Sequence, residues 1–211
     1  MNKFDEFNLN PLIIKSLDEQ GIVEPTEVQQ KVIPIALRGD DVVAKAPTGT
    51  GKTLSYVLPI IENVDRESNK IQAIIICPTR ELVVQICDVF KVAVKYYESF
   101  RVAGLYGGQN LERQLMFLRK KPQVIVGTPG RLLDHLARRT LKLQETKIIV
   151  LDEGDEMFDM GFRGDVEKIM DACPRQTTQK LLFSATIPNA IKEIIDQKFS
   201  NPIEVETTIQ G

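Results

Sequence analysis

"DVVAKAPTGTGKT", residues 41–53, passes from an apolar, β-branched run into a glycine-rich turn and then into a Lys-Thr pair. Val and Ile in a short apolar run favour a buried strand. Gly49 and Gly51 allow positive φ and close backbone approach. The N–H groups of Thr48, Gly49, Thr50 and Gly51 can then converge on a phosphate, aided by a helix starting near Lys52. In that reading Lys52 supplies a point charge to the outer phosphates and the Thr53 hydroxyl a ligand for Mg²⁺. The pattern GxxxxGK[ST] wants glycine at 46, where Ala46 stands, so an ordinary glycine-containing strand-to-helix turn is the competing reading.

A second stretch decides between them. "KIIVLDEGDEMFDMGF", residues 147–162, is again a strand-like run, and it ends in Asp152, Glu153, Gly154, Asp155 and Glu156. Carboxylates crowded at the end of a buried strand repel one another unless a cation sits among them. A phosphate-binding turn requires such a strand end, because a carboxylate there holds Mg²⁺. Asp152 fits that role, acting through bound water, and Glu153 fits a general base that orients an attacking water. Lys52 and Mg²⁺ are the cations that the cluster calls for. A solvated acidic helix start, favoured by the helix dipole, is the alternative if the glycine-rich turn is discounted.

Outward from these two stretches, strand-like runs alternate with helical patterns. The strands are expected at 41–45, 71–77, 101–106, 123–127, 147–151, 179–185 and 202–206. Helices are expected at 11–21 and 26–37, and over 79–97 the spacing of Leu82, Ile86, Val89, Phe90 and Val94 is helical. Val/Ile-rich strands separated by helices predict an α/β fold, a mostly parallel sheet covered on both faces. With 211 residues, 43% of them hydrophobic, and no linker-like stretch, the chain reads as one domain.

Cys77, Cys87 and Cys173 are widely spaced, and Cys77 ends an apolar run, which suggests buried free thiols and a cytoplasmic protein. No run is long enough for a membrane span. The net charge of −2 shows no bulk attraction to a polyanion, so any nucleic-acid contact must be local. His135 reads as a helix-surface histidine without a second histidine to share a metal. "LRKK" (118–121) and "RR" (138–139) read as cationic helix ends.

Taken in order, "GIVEPTEVQ" (21–29), "APTGTGKT" (46–53), "PTRELVVQ" (78–85), "TPGR" (128–131), "DEGD" (152–155) and "SAT" (184–186) resemble the motifs of the DEAD-box RNA helicases over the whole chain. The resemblance implies a RecA-like P-loop domain over 1–211, with an adenine-recognition region at 1–38 and the core at 39–211. It implies ATP/ADP and Mg²⁺ as cofactors and RNA as a partner of a monomeric protein.

Phe4 would stack on adenine, and Gln29, with the backbone near Val23 and Glu24, would read its edge. Pro78, Thr79, Arg80, Gly108, Gln109, Thr128, Pro129, Gly130, Arg131, Gly161 and Phe162 would line an RNA backbone track. Asp155, Ser184 and Thr186 would couple nucleotide state to the sheet. Hydroxyls, Arg and turn N–H groups suit phosphates, although "TPGR" by itself also reads as a capped helix start.

Two departures from the family pattern stand out. Gly154 replaces its Ala; with ordinary helical geometry there, Gly154→Ala is expected to be neutral or stabilising. Nothing after Phe199 resembles the second RecA-like lobe, which the family uses for arginine fingers and half the RNA cleft. A GTPase is disfavoured because Gln72 stands where "NKIQ" (69–72) would need Asp. A nucleotide kinase is disfavoured by the long segment before the P-loop. A DNA helicase and an ATP-gated RNA clamp without turnover remain rival readings.

Overall fold

The computed structural model describes residues 1–47 and 51–208. Seven strands form one parallel sheet: β1 (Val42–Lys45), β2 (Ala73–Ile76), β3 (Val102–Leu105), β4 (Val124–Gly127), β5 (Ile148–Asp152), β6 (Gln179–Ser184) and β7 (Ile203–Glu206), in the order β3-β4-β2-β5-β6-β1-β7. All seven lie inside or beside the runs expected from sequence. The first four helices are α1 (Pro11–Glu19), α2 (Glu27–Leu37), α3 (Lys52–Asn63) and α4 (Arg80–Ala93); the other five are α5 (Leu111–Arg119), α6 (Pro129–Ala137), α7 (Gly154–Asp159), α8 (Arg163–Asp171) and α9 (Asn189–Lys198). A short 3-10 helix, Lys3–Phe7, precedes them and was not foreseen.

The strand pleat divides the core in two. Ile75, Val150, Leu181 and Phe183 face one layer, packed against α1–α4 through residues such as Ile13, Val32, Ile60 and Phe90. Their neighbours Ile74, Ile76, Ile149, Leu151 and Leu182 face the other, against α5–α9 through Leu118, Leu132, Val166 and Ile191. Where both faces are covered, as for β2, β4 and β5, the strands carry no polar alternation and read as continuous apolar runs; the edge strand β7 alternates, with Glu204 and Glu206 exposed. The three cysteines are buried free thiols. Burial raises the Cys77 thiol well above its ordinary value, with Asp152 adding to it. No helix among the described residues is long and apolar enough to cross a membrane.

Helix starts follow local chemistry. Thr26 and Gln29 form a reciprocal capping box at α2. Thr79 accepts from the Leu82 N–H at the start of α4. At α7 the situation differs. Gly154 is buried under β6, and a Cβ there would lie 2.7 Å from Leu182 Cδ1 and 3.6 Å from Ile191 Cδ1. Gly154 has no positive φ, so its backbone tolerates Ala, but the space expected around it is absent. Crowding by Leu182 therefore corrects the expectation of a simple gain. Gly154→Ala should change unfolding free energy by less than about 1 kcal/mol, helix preference being offset by the turning of Leu182. In a Leu182→Val background the same change should stabilise by up to about 1 kcal/mol. Denaturant unfolding of the four proteins of this double-mutant cycle measures the coupling.

Candidate nucleotide and nucleic-acid site

The two stretches singled out in the sequence meet at the C-terminal end of the sheet. Lys52, the first residue of α3, is 5% exposed. Its Nζ lies 2.5 Å from Glu153 Oε1 and 3.1 Å from Asp152 Oδ1. Asp152 ends β5 fully buried, and its Oδ2 accepts a 2.7 Å hydrogen bond from the Tyr56 hydroxyl. Tyr56 sits one helical turn beyond Lys52, on the same face of α3. Its role was not read from the sequence, though the i,i+4 spacing was the available signal.

Glu153 adopts a left-handed backbone, φ 56° and ψ 49°, and makes no capping bond with its side chain. Non-glycine residues hold that conformation only where surrounding structure imposes it, often at functional sites.

The electrostatics follow from burial. Desolvation alone would lower the Lys52 ammonium, but Asp152 and Glu153 outweigh it and raise it above the ordinary lysine value. Burial pushes the Glu153 carboxyl up, and Lys52 offsets only part of that rise. Burial, then Asp152, holds the Tyr56 hydroxyl well above its ordinary value, so it stays a donor.

Among the described residues Asp152 Oδ1 is buried without an aligned hydrogen bond, with Lys52 Nζ 3.1 Å away. An under-satisfied carboxylate oxygen, together with the half-buried Thr53 hydroxyl that meets the same Tyr56, is the hard oxygen chemistry that Mg²⁺ takes. No group of three acidic, His or Cys side chains gathers into a metal site among the described residues. Mg²⁺ is commonly held by one or two carboxylates plus substrate phosphates, so this donor set fits it. Thr48, Gly49 and Thr50, expected to cradle phosphates, lie outside the described residues.

Gly51 is described and takes φ 76°; a Cβ there would come within 2.8 Å of Gln29 Nε2. Gln29 is 3% exposed and donates from Nε2 to the Gly51 carbonyl at 2.9 Å, while its Oε1 accepts from the Thr26 N–H. The expected adenine reader is thus first a brace between the start of α2 and the phosphate turn. One amide hydrogen and one lone pair are left for a base.

Phe4 departs further from expectation. It is 0% exposed, packed edge-on to Phe7 in the apolar core, and presents no open ring face. An apolar ring at the start of a chain finds more contact inside that core than on the surface. The Val23 carbonyl accepts from the Lys3 N–H, and the exposed Glu24 pairs with Lys3 Nζ at 2.7 Å.

Beside this centre, a cavity of about 480 Å³ collects Pro78, Arg80, Thr128, Gly130, Arg131 and Phe162. These are residues from three separate motifs. Tyr106, Gly107 and Asp134 line it as well and were not foreseen; Arg80 lies over the Tyr106 ring at 5.6 Å. Thr79 and Pro129 serve helix starts next to the cavity. Thr128 makes no capping bond with its side chain, so the cap reading of "TPGR" holds for Pro129 and not for the Thr128 hydroxyl. Gly108 and Gly161 stand exposed at φ 84° and 86°.

The loop bearing Gln109 is tied to α6 by the buried Gln114. Its Nε2 donates to Tyr106 O and Gln109 Oε1, and its Oε1 receives Arg131 and the His135 ring. His135 is therefore not a surface residue. It is fully buried, with its second ring nitrogen 2.8 Å from Thr140 Oγ1. Burial, then the Arg131 charge, lowers its pKa. With Leu132 at i−3 it lies on the core side of α6, and the Gln114 carbonyl makes that tolerable for an imidazole.

Asp155 and Thr186 are joined as expected: Asp155 Oδ2 accepts from the Thr186 N–H at 3.1 Å and its hydroxyl at 2.9 Å. The Ser184 hydroxyl accepts from the Asp155 N–H and donates to Thr186 O.

Comparison with known proteins agrees with this geometry. The profile of the family described as DEAD/DEAH box helicase matches residues 26–194. The chain is 47% identical over 203 residues to the ATP-dependent RNA helicase CshA of Listeria monocytogenes, covering 96% of this chain and 38% of that protein. It is equally 47% identical over 203 residues to the ATP-dependent RNA helicase DeaD of Buchnera aphidicola, covering 34% of it. The crystal structure of a DEAD box protein from Methanococcus jannaschii superposes with a TM-score of 0.92 at 41% identity, over 97% of this chain and 56% of that one. The chain thus spans between a third and two-fifths of these curated relatives. A parallel sheet of RecA-like design, a lysine clasped by two strand-end carboxylates and a family profile over most of the length lead to one conclusion: the chain belongs to the DEAD/DEAH box helicase family.

Proposed function

We propose that this chain is the ATP-binding lobe of an ATP-dependent RNA helicase, working in the cytoplasm, where its thiols stay reduced. The observation that carries the reading is Lys52 held between Asp152 and Glu153 at the end of the phosphate-binding turn.

Without nucleotide, Lys52 pairs with both carboxylates. A γ-phosphate competing for Lys52 releases Glu153, which then orients the attacking water and accepts its proton. Asp152 and Thr53 would hold Mg²⁺, and Tyr56 orients the Asp152 carboxylate by donating to its Oδ2. Mg²⁺, when bound, neutralises charge developing on the phosphoryl oxygens. The residues that line the second cavity, with Gly108, Gln109, Gly161 and the neighbouring helix starts, take an RNA backbone. Asp155, Ser184 and Thr186 relay nucleotide state to β6 and to a second RecA-like lobe.

Three outcomes are expected. ADP should bind more tightly than GDP by calorimetry, and Gln29→Ala should weaken ADP while also costing about 1 kcal/mol of stability through loss of the capping box. Equal affinities for ADP and GDP overturn the adenine assignment.

Lys52→Ala should remove useful phosphate binding. It also strands two buried carboxylates, so it should cost about 3 kcal/mol in thermal or denaturant unfolding.

Hydrolysis by this lobe alone should stay near background with or without RNA. Among the described residues Arg163 is engaged by Glu167 and Glu193, and Arg80 and Arg131 line the second cavity. An arginine finger is worth about 10³–10⁵ in rate. Fusing a second RecA-like lobe after Gly211 should restore RNA-stimulated hydrolysis, and Glu153→Gln should abolish it. RNA-stimulated turnover by the unfused chain would favour a complete site within this lobe.

A further inference from the structure

A separate cavity, of about 460 Å³ and distinct from the one lined by Arg80 and Arg131, opens at the other end of the sheet, where the chain enters β2, β4 and β5. Lys70 precedes β2, Lys121 precedes β4 and Lys142 precedes β5, while Arg119 and Arg139 come from the ends of α5 and α6. Five cations thus face one carboxylate, Glu145, in a chain whose net charge is −2. All five are exposed, and none is within ion-pair distance of a carboxylate among the described residues.

Complementing helix dipoles accounts for Arg119 and its neighbours. It does not account for Lys70 or Lys142, which lie in loops. Nor does it account for the backbone: Lys121 and Arg139 each follow a helix C-cap with φ 57° and 61°. That position favours glycine, yet in both helices it carries a cation facing this cavity.

We propose that this cavity is a second RNA site, which takes the phosphodiester backbone of a single strand outside the motif-lined track. No aromatic ring lines it, so bases have nothing to stack on and recognition is through phosphates. Two guanidinium forks and three ammonium groups suit several phosphates at once. Lys70 and Pro78 flank β2, and Lys121 and Thr128 flank β4, so the two cavities lie about 25 Å apart along the strands, a span that several nucleotides bridge. The inference rests on the reading of this chain as RNA-binding.

The double variant Lys121→Gly/Arg139→Gly removes two of the charges at positions whose backbone suits glycine, so folding should be retained or improved, as thermal unfolding will show. Anisotropy of a labelled oligouridylate is measured against salt for the parent, this variant and Arg80→Ala. Each lost contact should lower the slope of log Kobs against log salt by about 0.7, so a fall of about 1.4 is expected for the double variant. An unchanged slope there, with Arg80→Ala weakened, overturns the second site and leaves the track reading intact. A lowered slope with Arg80→Ala unaffected supports the second site and removes the track from RNA binding. Failure of the parent to bind overturns both. Labelled polyglutamate binding the parent more tightly than RNA, with that preference lost in the double variant, overturns the RNA assignment in favour of an acidic protein.

Discussion

Two carboxylates buried side by side at the end of β5 cannot stay ionised without a cation, and Lys52 is that cation. Removing such charges from water costs several kcal/mol each, recovered only with good pairing and further hydrogen bonds. The further bond is supplied by Tyr56 to Asp152. The start of α3 is thereby tied to the end of β5, although β6 lies between β5 and β1 in the sheet. In the function proposed above, an incoming phosphate would dismantle this triad by offering Lys52 a competing partner.

Around this triad, the functional segments brace one another through polar side chains that are themselves buried. Gln29 ties the start of α2 to Gly51, and Asp155 with Ser184 ties α7 to the segment after β6. Gln114 ties the Gln109 loop to α6 through Arg131 and His135. Each link joins segments that are separate in sequence. The left-handed Glu153 stands between the strand-end Asp152 and α7, which carries Asp155.

Much of this was legible in the chain. Apolar runs located the inner strands, because a sheet covered on both faces needs no polar alternation, while the edge strand β7 was legible as the alternating "PIEVE". Glycine spacing, Lys52 and the acidic run after "KIIVL" located the triad, because like charges at a buried strand end demand a counter-charge. What escaped was whatever depends on which way a side chain points. By pattern His135 reads as a surface residue, yet it is buried opposite Gln114, and Phe4 reads as an open ring, yet it packs within the core. Gly154 reads as unconstrained, since no local pattern reveals Leu182 overhead.

Alone, then, the sequence determined the α/β class, the order of motifs and the residue types that make phosphate chemistry possible, since periodicity and local charge are properties of the chain itself. Only the tertiary structure decided that Lys52 spends its charge on Asp152 and Glu153, and that Gln29 is a brace before it is a reader. It alone showed that Arg119, Lys121 and Arg139 line one cavity. Those outcomes depend on distances between segments tens of residues apart, which are set by how both layers of helices pack on the sheet, and no local pattern in the chain encodes them.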